Sequence, residues 1–342
     1  MNDASRENIL RQFLTDSGWG NARRAKLAGD ASFRHYERIK LDNNRAVLMD
    51  APPAHEDVRP YLYIAEHLLG HRFSAPRVLA KDVENGFLLL EDLGDDRFTR
   101  ILRGETLLQP VPSQESIYRI AIDVLVALHR CPLPVDVPLY DKQKLLNEVK
   151  LVTDWYLPLM HIKVDTDAYL QLWDTLLDDI AVGSNVLIHR DYHADNLMWL
   201  PERQGIRKVG LLDFQDAVIG PPTYDLLSLL EDARRDVPLK LAHTMLRYYL
   251  SQFPAIDKEQ FFLSYAILAA QRNCKIIGIF SRLAVRDNKH QYLAFLPRVW
   301  RYLMRDMKHP ALLPLKEWME STVDPSLRKS PPVMRNSASQ VA

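Results

Sequence analysis

Cysteine is scarce: Cys131 and Cys274 are the two in a chain of 342 residues, far apart and in no metal-binding spacing. That excludes a disulfide framework and makes a reducing compartment the simplest expectation. Net charge is missing as well, because 44 basic residues meet 44 acidic ones, so bulk attraction to nucleic acid is not expected. No apolar run approaches the ~18 residues of a membrane span. The opening residues, Met-Asn-Asp-Ala-Ser-Arg-Glu, lack the basic-then-apolar pattern of a secretion signal. These absences leave the expectation of a soluble cytoplasmic protein, 47% hydrophobic and long enough for two lobes.

What is present concentrates between His189 and Gln215. The run His189-Arg-Asp-Tyr-His-Ala-Asp-Asn196 is followed by apolar Leu197 to Leu200, a polar turn Pro201-Glu-Arg-Gln-Gly205, and a second apolar run, Ile206 to Leu212, ending in Asp213. Two strand-like runs about a turn predict a hairpin. Such a hairpin brings Asn196 and Asp213 together at its open end, with Asp191 just upstream. Phosphoryl transfer needs a carboxylate to take the acceptor's proton and oxygen ligands for Mg²⁺. The pattern assigns Asp191 as the base and Asn196 with Asp213 as the metal ligands of an ATP-dependent kinase.

The remaining chain supplies a setting. A short amphipathic helix is predicted over residues 5–17, then strands over 24–29, 33–41 and 45–51, with Asp42 to Asn44 as the turn between the last two. The small polar stretch Gly29 to Ser32 suits equally a loop over phosphates, with Ser32 its hydroxyl, or an ordinary hairpin turn. A helix follows over 56–69, and strands over 78–81 and 87–91 complete a small sheet. At 91–95 strand composition gives way to helix composition, marking a hinge whose backbone, around Glu91 and Leu93, suits a purine. The domains are then a nucleotide-binding lobe to residue 91 and a helical lobe over 96–320, with helices at 116–129, 147–160, 165–180, 223–232, 240–252, 258–283 and 290–306. The Ser- and Pro-containing tail from 321 to 342 is expected to be disordered.

Plainer readings compete. His189 and His193 with Asp195 have a zinc-like spacing, but the segment is loop-like rather than helical. A solvated turn accounts for His193 or Asp195 singly, not for Asp191, Asn196 and Asp213 together. His189 is read as a structural residue of the loop, and Asp225 as a buried brace or a helix-terminal acid. The cluster Gln271-Arg-Asn-Cys-Lys275 inside an apolar helix is either a wet helix face or a set of acceptor contacts in which a cation meets a substrate carboxylate.

On His189 to Asn196, Leu212-Asp-Phe-Gln-Asp216 and Gly220-Pro-Pro-Thr-Tyr-Asp225, the chain resembles the aminoglycoside phosphotransferase and choline kinase-like superfamily, over about residues 20–310. The resemblance implies an α+β, protein-kinase-like two-lobed fold with a small β-rich N-terminal lobe. Within the superfamily, Gly29-Asp-Ala-Ser-Phe-Arg-His-Tyr36, Met49-Asp-Ala-Pro-Pro53 and Gln271 to Phe280 are similar to bacterial kinases acting on the anomeric hydroxyl of N-acetylmuramate and N-acetylglucosamine in cell-wall recycling. It implies ATP, Mg²⁺ and a small amino sugar as ligands of a monomer, with His193, Asp216, Gln271 and Arg272 on the acceptor side. One departure stands out: where the superfamily carries a third-strand lysine, this chain has Met49. Arg34 and Arg38 are the candidate replacements, and Glu66 receives no role. The rivals are an aminoglycoside- or choline-type kinase, whose cationic acceptors call for acids and aromatic faces, and a pseudokinase, for which Met49 alone speaks.

Overall fold

The computed structural model describes residues 3–27, 33–180, 185–330 and 332. In chain order the first elements are α1 (Asp3–Asp16), β1 (Arg23–Lys26), β2 (His35–Leu41), β3 (Asn44–Asp50), α2 (Arg59–Gly70), β4 (Val78–Asp82), β5 (Phe87–Glu91), α3 (Phe98–Leu102) and α4 (Gln114–His129). Then come α5 (Lys142–Val149), α6 (Leu157–Leu159), α7 (Thr166–Asp178), β6 (Val186–Ile188), β7 (Leu197–Trp199), β8 (Val209–Leu211) and β9 (Val218–Gly220). Helices complete the chain: α8 (Thr223–Leu230), α9 (Leu239–Ser251), α10 (Lys258–Arg286), α11 (Leu296–Asp306), α12 (Leu313–Thr322) and α13 (Pro325–Lys329). An antiparallel sheet followed by a mostly helical remainder is the fold class expected from the sequence.

Two compact units emerge: residues 1–135 with 189–217, and residues 136–188 with 218–342. They do not divide at the 91–95 hinge. The physical reason is the β7–β8 hairpin, which bonds backward into the first unit. Trp199 N–H donates to Asp96 O at 2.7 Å, and Leu211 N–H to Ser74 O at 2.7 Å. The Ser74 hydroxyl donates to Arg207 O at 2.7 Å.

In the first unit, five antiparallel strands run in the order β1-β2-β3-β5-β4. Alternation in β3 buries Ala46 and Leu48, which join Leu10, Phe13 and Leu14 of α1 and Phe87 and Leu89 of β5 in one cluster. The uninterrupted Phe-Leu-Leu-Leu of β5 is buried throughout, as a central strand covered on both faces should be.

In the second unit, β6 pairs antiparallel with β9, a contact between three-residue strands that periodicity does not reveal. The helix expected over 147–160 is broken. α5 starts at a capping Asp141, a π-turn occupies Val152–Tyr156, and α6 contains Pro158, which has no N–H to continue a ladder. Gly278 of α10 lies against the break: a Cβ there would stand 2.5 Å from the Leu151 carbonyl carbon. The tail expectation also needs correction at its start. α13 is folded, and Arg328 is buried over the Trp300 ring at 5.7 Å while donating to Met319 O at 2.9 Å. Residues 333–342 lie outside the described residues.

Candidate active site

β7 and β8 are antiparallel, with Leu197 opposite Leu211. Leu212 N–H donates to Asn196 O at 3.0 Å, which closes the hairpin's open end. The Asn196 Nδ2 donates to Asp191 O at 3.0 Å and reaches Asp213 Oδ2 at 3.5 Å. Asp213 adopts φ of +61°, a left-handed conformation that costs about 1 kcal/mol or more in a residue with a Cβ. Aspartate tolerates it better than most, and the turn aims the carboxylate back at the loop. Arg190, just before Asp191, is left-handed as well, at φ of +73°.

The electrostatics at this end are acidic. Burial, and next the charge of Asp191, push the Asp213 carboxyl above the usual carboxylate range. Gln215 Nε2 bridges Asp213 Oδ1 and Asp216 Oδ2, at 3.0 Å each. Arg34 Nη2 meets Asp213 Oδ1 at 3.3 Å, and Arg34 Nε faces Glu56 Oε2 at 3.8 Å. Hard oxygen donors with an excess of negative charge fit a small divalent cation such as Mg²⁺. Among the described residues no group of three or more His, Cys, Asp and Glu side chains is arranged to hold a metal.

The loop is braced from within. Burial pulls the His189 imidazole down to about 4, so it is neutral near pH 7, and its ring stands edge-on to Tyr192 at 5.7 Å. The Tyr192 hydroxyl donates to Ala121 O at 2.8 Å, tying the loop to α4. His193 is buried, and its N–H donates to Asp191 O at 3.0 Å. Arg190 Nη1 donates to Asp216 O at 3.4 Å.

The nucleotide-side candidates separate. Ser32 lies outside the described residues. Arg38 is held by the 92–95 segment, with Nε at 2.8 Å from Asp92 Oδ2 and Nη1 at 2.9 Å from Asp95 Oδ1. Glu91 pairs with Arg203 at 2.7 Å, and its N–H is taken by Arg77 O at 2.8 Å. The Leu93 side chain lies over Gly210 of β8, its Cδ1 2.8 Å from where a Cβ would be. Of the two arginines, Arg34 is the one brought to Asp213.

In the second unit, Gln271 is fully buried and donates to Leu145 O at 3.2 Å and Glu148 Oε2 at 3.1 Å. Lys275 is paired with Glu148 at 3.0 Å. Arg272 is buried, and its Nη1 has no hydrogen-bond partner among the described residues. Asp225 is sealed in α8. Sequence reasoning missed Glu56, Tyr36, Gln215 and Glu148. Gln215 alone carried a signal, its place between two aspartates.

A profile of the phosphotransferase enzyme family matches residues 24–262. The chain belongs to that family. Over most of its length the chain is also similar to proteins named N-acetylmuramate/N-acetylglucosamine kinase. The one from Caulobacter vibrioides is 35% identical, covering 95% of this chain and 99% of its own. That from Pseudomonas aeruginosa is 34% identical, covering 92% and 94%. Among solved structures, a choline kinase from Streptococcus pneumoniae superposes with a TM-score of 0.62 at 14% identity, covering 90% of this chain and 99% of that one. The GDP complex of an aminoglycoside 2'-phosphotransferase gives 0.59 at 15%, covering 89% and 98%. At such identities the likeness is one of fold: the kinase-like fold.

Proposed function

We propose that this phosphotransferase moves the γ-phosphoryl group of ATP onto the anomeric C1 hydroxyl of N-acetylmuramate or N-acetylglucosamine. The observation that carries the phosphoryl-transfer part is the meeting of Asn196 with Asp213, at 3.5 Å, beside Asp191. The choice of sugar rests on the relatives that share about a third of the sequence along nearly the whole chain.

Asp191 takes the proton of the C1 hydroxyl as its oxygen attacks phosphorus, and ADP leaves with the broken bond's electrons. An anomeric hydroxyl is more acidic than an ordinary alcohol, so Asp191 contributes orientation as much as basicity. Asn196 and Asp213 would hold Mg²⁺, which when bound would supply positive charge beside the transferring phosphate. Leu93 and the hinge backbone receive the purine. His193, Asp216, Gln271 and Arg272 are assigned to the acceptor. The product is a sugar 1-phosphate made in a bacterial cytoplasm during peptidoglycan recycling.

An aminoglycoside or choline acceptor is favoured by fold alone. Those acceptors are cationic, and the buried guanidinium of Arg272 does not suit them. The deciding experiment offers γ-labelled ATP with N-acetylmuramate, N-acetylglucosamine, kanamycin and choline, then locates the phosphate by NMR. Label on C1 of an amino sugar supports the proposal; label on kanamycin or choline alone refutes it.

A further inference from the structure

A nucleotide triphosphate brings more negative charge than one divalent ion neutralises, so a kinase of this fold needs a side-chain cation on the phosphates. The third strand cannot supply it. Its buried positions, Ala46 and Leu48 on one face and Met49 on the other, are all sealed from solvent and carry no charge. Asp50, next in line, is bound by Arg6.

The antiparallel register offers another route. Met49 stands opposite Tyr36 of β2, and Arg34 precedes Tyr36 by two residues, so a cation can approach from the neighbouring strand's entrance. Arg34 does so. Its side chain is only 10% exposed, and its guanidinium lies between Asp213, at 3.3 Å, and Glu56, at 3.8 Å. The approach is pinned on either side of that pair: the Phe33 ring stacks on His55 at 4.5 Å between centroids and 20° between planes. The Tyr36 hydroxyl is close enough to bond Arg34, and burial lifts it to about 12, so it stays protonated. Arg38, two residues beyond, is fully engaged with Asp92, Asp95 and the Gly94 carbonyl, at 3.1 Å from the last.

We propose that Arg34 is the phosphate-binding cation of this enzyme and that Glu56 is the carboxylate that positions it. Together they replace the lysine–glutamate pair of other kinases. A guanidinium suits this place because its planar fork serves Glu56 on one edge and phosphate oxygens on another. Phosphate oxygens would take the place of the Arg34–Asp213 contact, and the Asp213 carboxylate would then be available to a metal ion. The proposal rests on the kinase reading above but not on the identity of the sugar.

The test is calorimetric titration of the full chain with ATP, ADP and adenosine, without sugar, in the presence and absence of Mg²⁺. For Arg34→Met the expected result is an ATP affinity lowered about 10²-fold, a size set by losing one charge-assisted clamp, with adenosine unchanged. Arg34→Lys should recover part of the loss, and in separate steady-state kinetics with sugar present Glu56→Gln should raise KM for ATP more than it lowers kcat. Arg38→Met should leave the ATP-to-adenosine ratio as it was. The inference is overturned if Arg34→Met, with an unchanged unfolding midpoint, keeps the wild-type ratio, or if Arg38→Met is the variant that loses it. Wild-type chain that prefers ATP to adenosine but phosphorylates no amino sugar would refute the acceptor assignment and leave Arg34 in place.

Discussion

The Asn196 carboxamide and the Asp213 carboxylate stand 3.5 Å apart across 17 residues of chain. The hairpin between them fixes that distance, since Leu212 N–H is bonded to Asn196 O at 3.0 Å. Asn196 also donates to Asp191 O at 3.0 Å, which ties the loop to the same end. Asp213 sits in a left-handed conformation, a cost that makes sense when its carboxylate has work to do at this spot.

Asp191 is expected to act on the chemical step. Replacing it by Asn keeps the shape and removes the proton acceptor, so kcat should fall about 10²- to 10⁴-fold with KM for ATP little changed. Steady-state kinetics with both substrates varied checks this. A rate near wild type would remove Asp191 from the mechanism.

Gln215 spans Asp213 and Asp216 and keeps two carboxylates in place that would otherwise repel. Gln215→Leu should raise the Mg²⁺ concentration needed for half-maximal activity by about tenfold, the worth of one hydrogen bond to a charged group. The unfolding midpoint should stay put. A Mg²⁺ titration of activity alongside a thermal scan gives both readings.

His129, at the end of α4, is half-buried, and that burial depresses its imidazole to about 3. The folded state therefore binds this proton less readily than the unfolded chain. Its contribution to stability is complete above about pH 6.5 and is lost as pH falls from there toward 3. At pH 5 the loss amounts to about 2 kcal/mol. His129→Gln should flatten the fall in unfolding free energy between pH 7 and 5, measured by urea titration at each pH.

Gly278 lets α10 approach the broken helix at Leu151, where an added methyl would stand 2.3 Å from the Leu151 Cβ and 2.7 Å from its carbonyl oxygen. Backbone cannot step aside cheaply. Gly278→Ala should destabilise the protein by about 3 kcal/mol, visible as a lowered denaturation midpoint.

Much of this was legible in the sequence because the signals were local. Phe87–Glu91 reads as a buried strand and forms one, and the hairpin could be drawn from two apolar runs and a turn. The spacing of Asp191, Asn196 and Asp213 carried the site because a hairpin maps sequence distance onto space by a simple rule. Glu56 and Tyr36 had no such rule: Glu56 reaches Arg34 from another segment, and Tyr36 reads as one more aromatic of a strand. The pairing of β6 with β9 escaped for the same reason, since strands of three residues have no period. The break in the 147–160 helix packs against a glycine more than a hundred residues away, which no local pattern shows. α13 was missed because composition described its polar surface and not Arg328 turned inward.

The most direct test of the central claim is binding of Mn²⁺, as a paramagnetic stand-in for Mg²⁺, to the ATP complex, followed by water-proton relaxation. Asn196→Leu and Asp213→Asn should each weaken the protein-bound metal–nucleotide complex by at least about tenfold, while adenosine still binds as in the wild type. Unaltered Mn²⁺ affinity and relaxation enhancement in both variants would contradict a metal held between these two side chains.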